Sequence, residues 1–150
     1  MRQATITIEN KNILKDHALE FEQKASAFKS EIRLKRNLWS EVDAKYSSSI
    51  GNMLLKEGDT VTILASGFDE RDAVIQLKAF IESNFSYGYQ YYCCCGKAYF
   101  ELADYVAAIE NCREAIKLNA DNVYAHYILG LAHQKRGEYE PAIDEPDRSY

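Results

Sequence analysis

The sequence lacks a long apolar run and an excess of positive charge. No stretch approaches the ~20 consecutive apolar residues that a helix needs to cross a bilayer, so we expect no membrane partner. The chain holds 18 Lys and Arg residues against 23 Asp and Glu residues, a net charge of -5. Because nucleic-acid binding depends on Lys and Arg neutralising phosphates, this balance argues against a nucleic-acid partner.

The first twelve residues also lack the pattern of a secretion signal, in which an apolar core precedes a small-residue cleavage site. We therefore expect a cytoplasmic protein. Cysteine is confined to positions 93, 94, 95 and 112. Three adjacent cysteines on a helix point about 100° apart, so they cannot converge on one metal ion. We expect no metal site and no cofactor.

Residues 90 to 143 nearly repeat themselves with a period of 34 residues. The identities at this spacing pair Gly96 with Gly130, Ala98 with Ala132, Tyr105 with Tyr139, Ala108 with Ala142 and Ile109 with Ile143. A self-match at this period is typical of tetratricopeptide (TPR) repeats, each of which is a helix–turn–helix unit. The small residues at the first and fourth pairs allow two antiparallel helices to approach closely. Residues 88 to 145 therefore resemble TPR repeats.

The repeat predicts three helices, over residues 90 to 102, 105 to 118 and 123 to 135, and a fourth that starts near Tyr139. Pro146 would interrupt that fourth helix, because proline is not tolerated in a helix interior. The predicted second domain, residues 88 to 150, thus holds about one and a half to two units, where roughly three are usually needed for stability.

The resemblance to TPR repeats implies that a protein or peptide ligand binds the surface formed by the first helix of each unit. The side chains at those places are Gln90, Lys97, Phe100, Glu101, Tyr124, Tyr127, Leu131 and Gln134. TPR domains that clamp the C-terminal carboxylate of a chaperone use basic and asparagine side chains there. Only Lys97 in this set is of that kind, so we do not expect a chaperone tail as the ligand.

The first part of the chain alternates strand and helix patterns. Period-2 alternation predicts strands over residues 4 to 9, 31 to 36, 40 to 45 and 60 to 66, with a turn at Asn37 and Leu38 between the second and third. Helical spacing predicts helices over residues 16 to 29, 47 to 55 and 70 to 82, with Asp16 as the N-cap of the first. The predicted fold class is α+β: an open-faced antiparallel sheet with helices on one face, over residues 1 to 84, followed by an all-α TPR helical-hairpin region.

Within residues 1 to 84 the local sequence resembles the histidine-containing phosphocarrier protein (HPr) of the bacterial sugar phosphotransferase system. The stretches that carry the resemblance include TITIENK at 5 to 11, ASAFKSEI at 25 to 32, KEGDTVTI at 56 to 63 and ASGFDE at 65 to 70. The resemblance implies the HPr fold.

The segment that carries the family's chemistry differs. The family reads Gly-Leu-His-Ala-Arg-Pro-Ala where this chain has Asn12-Ile13-Leu14-Lys15-Asp16-His17-Ala18. Leu14 stands at the phosphorylated histidine, Asp16 at the arginine and His17 at the proline. Phosphoryl transfer of this type needs an imidazole nucleophile near a helix N-terminus, and leucine has no lone pair. We therefore predict an HPr-like domain that lacks the catalytic histidine.

Two functions follow from these features. The preferred one is a non-enzymatic interaction or scaffold protein, with a degenerate phosphocarrier domain and peptide-binding TPR repeats. The alternative is an active phosphocarrier in which a shifted alignment makes His17 the phosphoacceptor, with the repeats choosing its partners. Against that alternative, His17 also fits a first-turn helical residue without chemistry.

The predicted helix over residues 123 to 135 is apolar on more than one side. The residues concerned are Val123, Tyr127, Ile128, Leu131 and Ala132. Each such side chain that stays exposed loses about 1.5–3 kcal/mol of the free energy that burial would contribute. We therefore expect this surface to be covered. A second copy of the chain in a two-fold homodimer is the first expectation, and a partner protein or a continuation of the chain is the other.

Overall fold

The computed structural model describes residues 1–36 and 41–137. They form two compact units, divided between Phe85 and Ser86. The elements are β1 (Arg2–Thr7), α1 (Ile13–Asp16), α2 (Ala18–Ser26), β2 (Glu31–Lys35), β3 (Glu41–Asp43), α3 (Ser47–Gly51), β4 (Thr60–Ser66), α4 (Glu70–Glu82), α5 (Tyr89–Glu101), α6 (Tyr105–Leu118) and α7 (Val123–Lys135). Within the described ranges, no helix has the length and apolarity that a membrane crossing requires.

The first unit is built on one four-stranded antiparallel sheet, which confirms the predicted α+β class. The strands lie in the order β1-β4-β2-β3. Alternate side chains of β4, namely Val61, Ile63 and Ala65, are fully buried. Helix α4 packs against β4 and β1 and buries Leu77 completely. The period-2 pattern of β4 therefore meets the apolar stripe of α4 in the core.

A bulge ends the pairing of β1 with β4. The amide of Ile8 donates to the carbonyl of Asp59 at 2.7 Å, and the amide of Gly58 donates to the carbonyl of Ile8 at 2.8 Å. Gly58 and Asp59, just before β4, thus both lie opposite Ile8, just after β1. This is the arrangement of a β-bulge. Gly58 has a φ of +90°, a conformation that glycine adopts without the steric cost of a Cβ.

The helix predicted over residues 16 to 29 forms as α2 over the shorter range Ala18–Ser26, and a separate short helix, α1, precedes it. Asp16 is the last residue of α1, so its prediction as an N-cap is wrong, and His17 precedes α2 with a φ of -118°. The physical reason lies in Leu14, which is fully buried. Its burial holds the chain against the core one turn before the predicted helix start, and a short helix forms around it.

Helix α3 is shorter than predicted. It ends at Gly51 rather than at residue 55, and Leu54, which the prediction placed inside the helix, is 78% exposed. Leu55 is buried in its place. The turn predicted at Asn37 and Leu38 lies outside the described residues.

The second unit is a helical hairpin followed by a third helix. Asp104 accepts a hydrogen bond from the amide of Ala107 at 3.2 Å and so caps α6, and Asn122 caps α7 through the amide of Ala125 at 3.1 Å. A Cβ added to Gly96 would lie 2.7 Å from Sγ of Cys112, so α5 and α6 approach closely there. The helix predicted to start near Tyr139 lies outside the described residues.

Candidate functional site

The segment that the sequence predicts to align with the family's phosphorylation site has side chains that differ from one another in burial. Leu14 is 0% exposed, inside the core of the first unit. Asp16 is exposed and His17 is half-buried. Leu14, which the sequence predicts to align with the phosphoacceptor, thus offers neither a nucleophile nor access to solvent.

The His17 imidazole is held from two sides. Its Nδ1 atom lies 3.1 Å from both carboxylate oxygens of Glu20. Its ring stacks on Phe85, with the ring centroids 4.6 Å apart and the planes 11° from parallel. Phe85 is itself buried and makes edge contacts with Phe21 and Phe80. His17 therefore extends an aromatic cluster at the edge of the core, with a carboxylate on one ring nitrogen.

The predicted peptide-binding residues of α5 are mainly on the surface. Gln90, Lys97 and Glu101 are exposed. Phe100 is half-buried, with its ring centroid 5.6 Å from that of Tyr105. The first helix of the TPR region thus presents polar side chains beside one aromatic ring.

The predicted residues of α7 are more apolar. Tyr127 is 60% exposed, and Tyr124 is exposed as well. Gln134 is exposed and Leu131 is half-buried. Val123, at the start of the helix, is 80% exposed. Ligand binding by these residues, like that by the residues of α5, stays a prediction.

One contact of the second unit could not be anticipated from residue patterns. The Asn122 side-chain amide donates to Sγ of Cys93 at 2.9 Å, which connects the start of α7 to α5. Burial raises the pKa of the Cys93 thiol, and Asn122 offsets part of that rise. Burial also raises the pKa of Cys112 to about 12. Both shifts favour the protonated thiol, which is the less nucleophilic form.

The described residues contain no group of three or more His, Cys, Asp or Glu side chains placed to hold a metal ion.

Both parts of the chain match models of known protein families. The model of the PTS HPr component phosphorylation site matches residues 2–83, more than half of the chain. The chain belongs to the HPr family. A TPR repeat model matches residues 96–137, so both predicted resemblances are confirmed.

Solved structures of HPr proteins resemble the first unit. HPr-C-His from Thermoanaerobacter tengcongensis is 36% identical, with a TM-score of 0.51, over 57% of this chain and 96% of that one. The histidine-containing phosphocarrier protein of a Mycoplasma is 26% identical, with a TM-score of 0.51, over 58% of this chain and 100% of that one. A comparison with curated proteins gave no match.

Proposed function

We propose that this HPr-family protein does not carry a phosphoryl group and instead acts as a non-enzymatic interaction or scaffold protein. The observation that carries the proposal is the burial of Leu14, which aligns with the family's phosphoacceptor. A phosphoryl acceptor needs a lone pair that its donor can reach. An aliphatic side chain inside the core meets neither condition.

The TPR repeat supplies the interaction function. TPR units are protein-interaction modules, and the described part of this one exposes Tyr124 and Tyr127 on α7. Tyrosine gives a large apolar contact area together with a polar tip, and it is enriched among the residues that dominate binding energy. We therefore propose that the ligand is an extended or helical segment of another protein, bound in the cytoplasm across α5 and α7.

Active phosphocarrying through His17 is the second candidate function, favoured by the position of an imidazole at the start of α2. Glu20 argues against phosphoryl transfer to Nδ1 of His17, because its carboxylate lies against that atom. A transferred phosphoryl group would have to displace that carboxylate or lie beside a like charge. Acid-labile phosphate that disappears in His17→Ala would identify this second function.

A capture experiment tests the binding function. The full chain is immobilised and exposed to lysate of the source cells, together with Tyr127→Ala and the control Tyr46→Ala. Tyr127 and Tyr46 are matched in exposure, at 60% and 61%, but Tyr46 lies in the HPr domain. We expect Tyr127→Ala to reduce the captured ligand about tenfold, as for an interface residue worth ~1.4 kcal/mol. Equal capture by all three proteins would contradict the proposed surface.

A further inference from the structure

The outer edge of β1 is open. β1 is a terminal strand of the sheet and pairs only with β4 among the described strands. The backbone amide and carbonyl of Ile8 both point toward the β4 side of the strand, since the amide donates to Asp59 and the carbonyl accepts from Gly58. Because this direction alternates along an antiparallel strand, Ala4 and Ile6 also point inward. The amides and carbonyls of Gln3, Thr5 and Thr7 therefore point outward, where no described residue bonds them.

The strand carries none of the usual devices that protect a sheet edge. Natural edges are blunted by proline, by charged side chains in the middle of the strand, by bulges or by a covering element. β1 has the sequence RQATIT, which contains no proline and no charge after its first residue. The bulge at Ile8 lies beyond its end. The row of outward groups is thus suited to pairing with another strand.

A groove beside the C-terminal end of β1 places negative charge next to this edge. It has a volume of about 540 Å³ and lies between residues 5 to 10 and the end of α4. Its carboxylates are Glu9 and Glu82, and none of its lining residues in the described part of the chain is basic. Both carboxylates are exposed. Whatever segment pairs with β1 would therefore gain from a positive charge at this end.

We infer that the partner is β1 of a second copy of the chain, joined across a two-fold axis into one continuous sheet. The antiparallel register that pairs every outward residue sets Thr5 opposite Thr5 and Gln3 opposite Thr7. Continuing this register sets Arg2 of the second copy opposite Ile8, and Met1 of the second copy opposite Glu9. The guanidinium of each copy thus meets the acidic groove of the other.

The charge of the chain's own C-terminal residues favours this occupant over a segment of the same chain. Residues 138 to 150 contain five acidic residues and one basic residue, so they would be repelled by Glu9 and Glu82. Arg2, by contrast, is exposed and belongs to the strand that pairs. In the two-fold arrangement, Arg2 of each copy lies beside the acidic groove of the other.

Charge exchange in the full chain tests the inference. Sedimentation equilibrium is measured over concentrations on the order of 1 to 500 µM for the wild type, Arg2→Glu and Glu82→Lys. We expect the wild type to dimerise and each variant alone to stay monomeric. An equimolar mixture of the two variants should dimerise again. In the mixed dimer the introduced glutamate faces the introduced lysine, and the unchanged Arg2 of one copy faces the unchanged Glu82 of the other. Recovery in the mixture also shows that both variants are folded.

Three results would overturn the inference. The first is a wild-type chain that stays monomeric over the whole range. The second is dimerisation that both charge variants retain, or that their mixture does not recover. The third is a dimer that Leu131→Asp dissociates while the edge variants leave it intact, which would assign the interface to α7 instead.

Discussion

Asp69 ties the start of α4 to the residues just before β2. Its carboxylate accepts hydrogen bonds from the amide of Lys29 at 2.8 Å and from the amide of Ser30 at 2.9 Å, and from the Ser30 hydroxyl. These bonds favour the ionised form, with the Ser30 hydroxyl contributing most, and lower the pKa of Asp69 to about 2. Gly67 permits the close approach, because a Cβ there would lie 2.8 Å from Cα of Ser30.

The lowered pKa makes the stability of the first unit depend on pH. The folded-state pKa of Asp69, about 2, is below the unfolded value of ~3.9. The carboxylate therefore contributes stability above about pH 4, and this contribution is lost as the pH falls toward 2. We expect Asp69→Asn to lower the urea midpoint at neutral pH and to reduce the loss of stability on acidification.

Urea unfolding at a series of pH values measures both effects. Asp72→Asn is the control, since it removes a carboxylate from the first turn of the same helix but keeps the bonds to Lys29 and Ser30. If both variants had the same midpoint and the same pH dependence, the role given to Asp69 would be refuted.

At the scale of elements, the spacing of apolar residues and the capping residues predicted where several helices and strands begin and end. The structure has β4 at Thr60–Ser66 and α7 at Val123–Lys135, as the sequence pattern indicates, because each has a regular period and a clear start. The helix predicted over residues 16 to 29 forms over the shorter range Ala18–Ser26. The short helix α1 before it, which buries Leu14, was not predicted from the local pattern.

The equivalent glycines of the two TPR units offer a test of helix packing. Gly96 lies in the close contact of α5 with α6, where an added Cβ would be 2.7 Å from Sγ of Cys112, whereas no described atom lies within 4 Å of an added Cβ at Gly130. We expect Gly96→Ala to destabilise the second unit by about 1–3 kcal/mol through overpacking. Gly130→Ala should stabilise it by roughly 0.5–1 kcal/mol, because alanine favours a helix interior.

Thermal or urea unfolding of the full chain, followed by helical circular dichroism, compares the two variants. A destabilisation by Gly130→Ala as large as that by Gly96→Ala would contradict the expected difference between the two units.

For the whole molecule, the sequence predicts a candidate site at Leu14 and His17 but not the geometry of these residues. The contact of His17 with Phe85 joins residues that are distant in the chain, and such a contact depends on the folded core rather than on a motif. The approach of Glu20 to Nδ1 of His17, by contrast, is a local i,i+3 contact that helical spacing allows.

The central claim is that this member of the HPr family binds partners without carrying phosphate. The most direct measurement is the intact mass of the full chain after incubation with the phosphorylated donor enzyme of the phosphotransferase system, beside a histidine-containing HPr as positive control. We predict that the control gains one acid-labile phosphoryl group per molecule and that this chain gains none. A stoichiometric, acid-labile mass increase that is lost in His17→Ala would contradict the account.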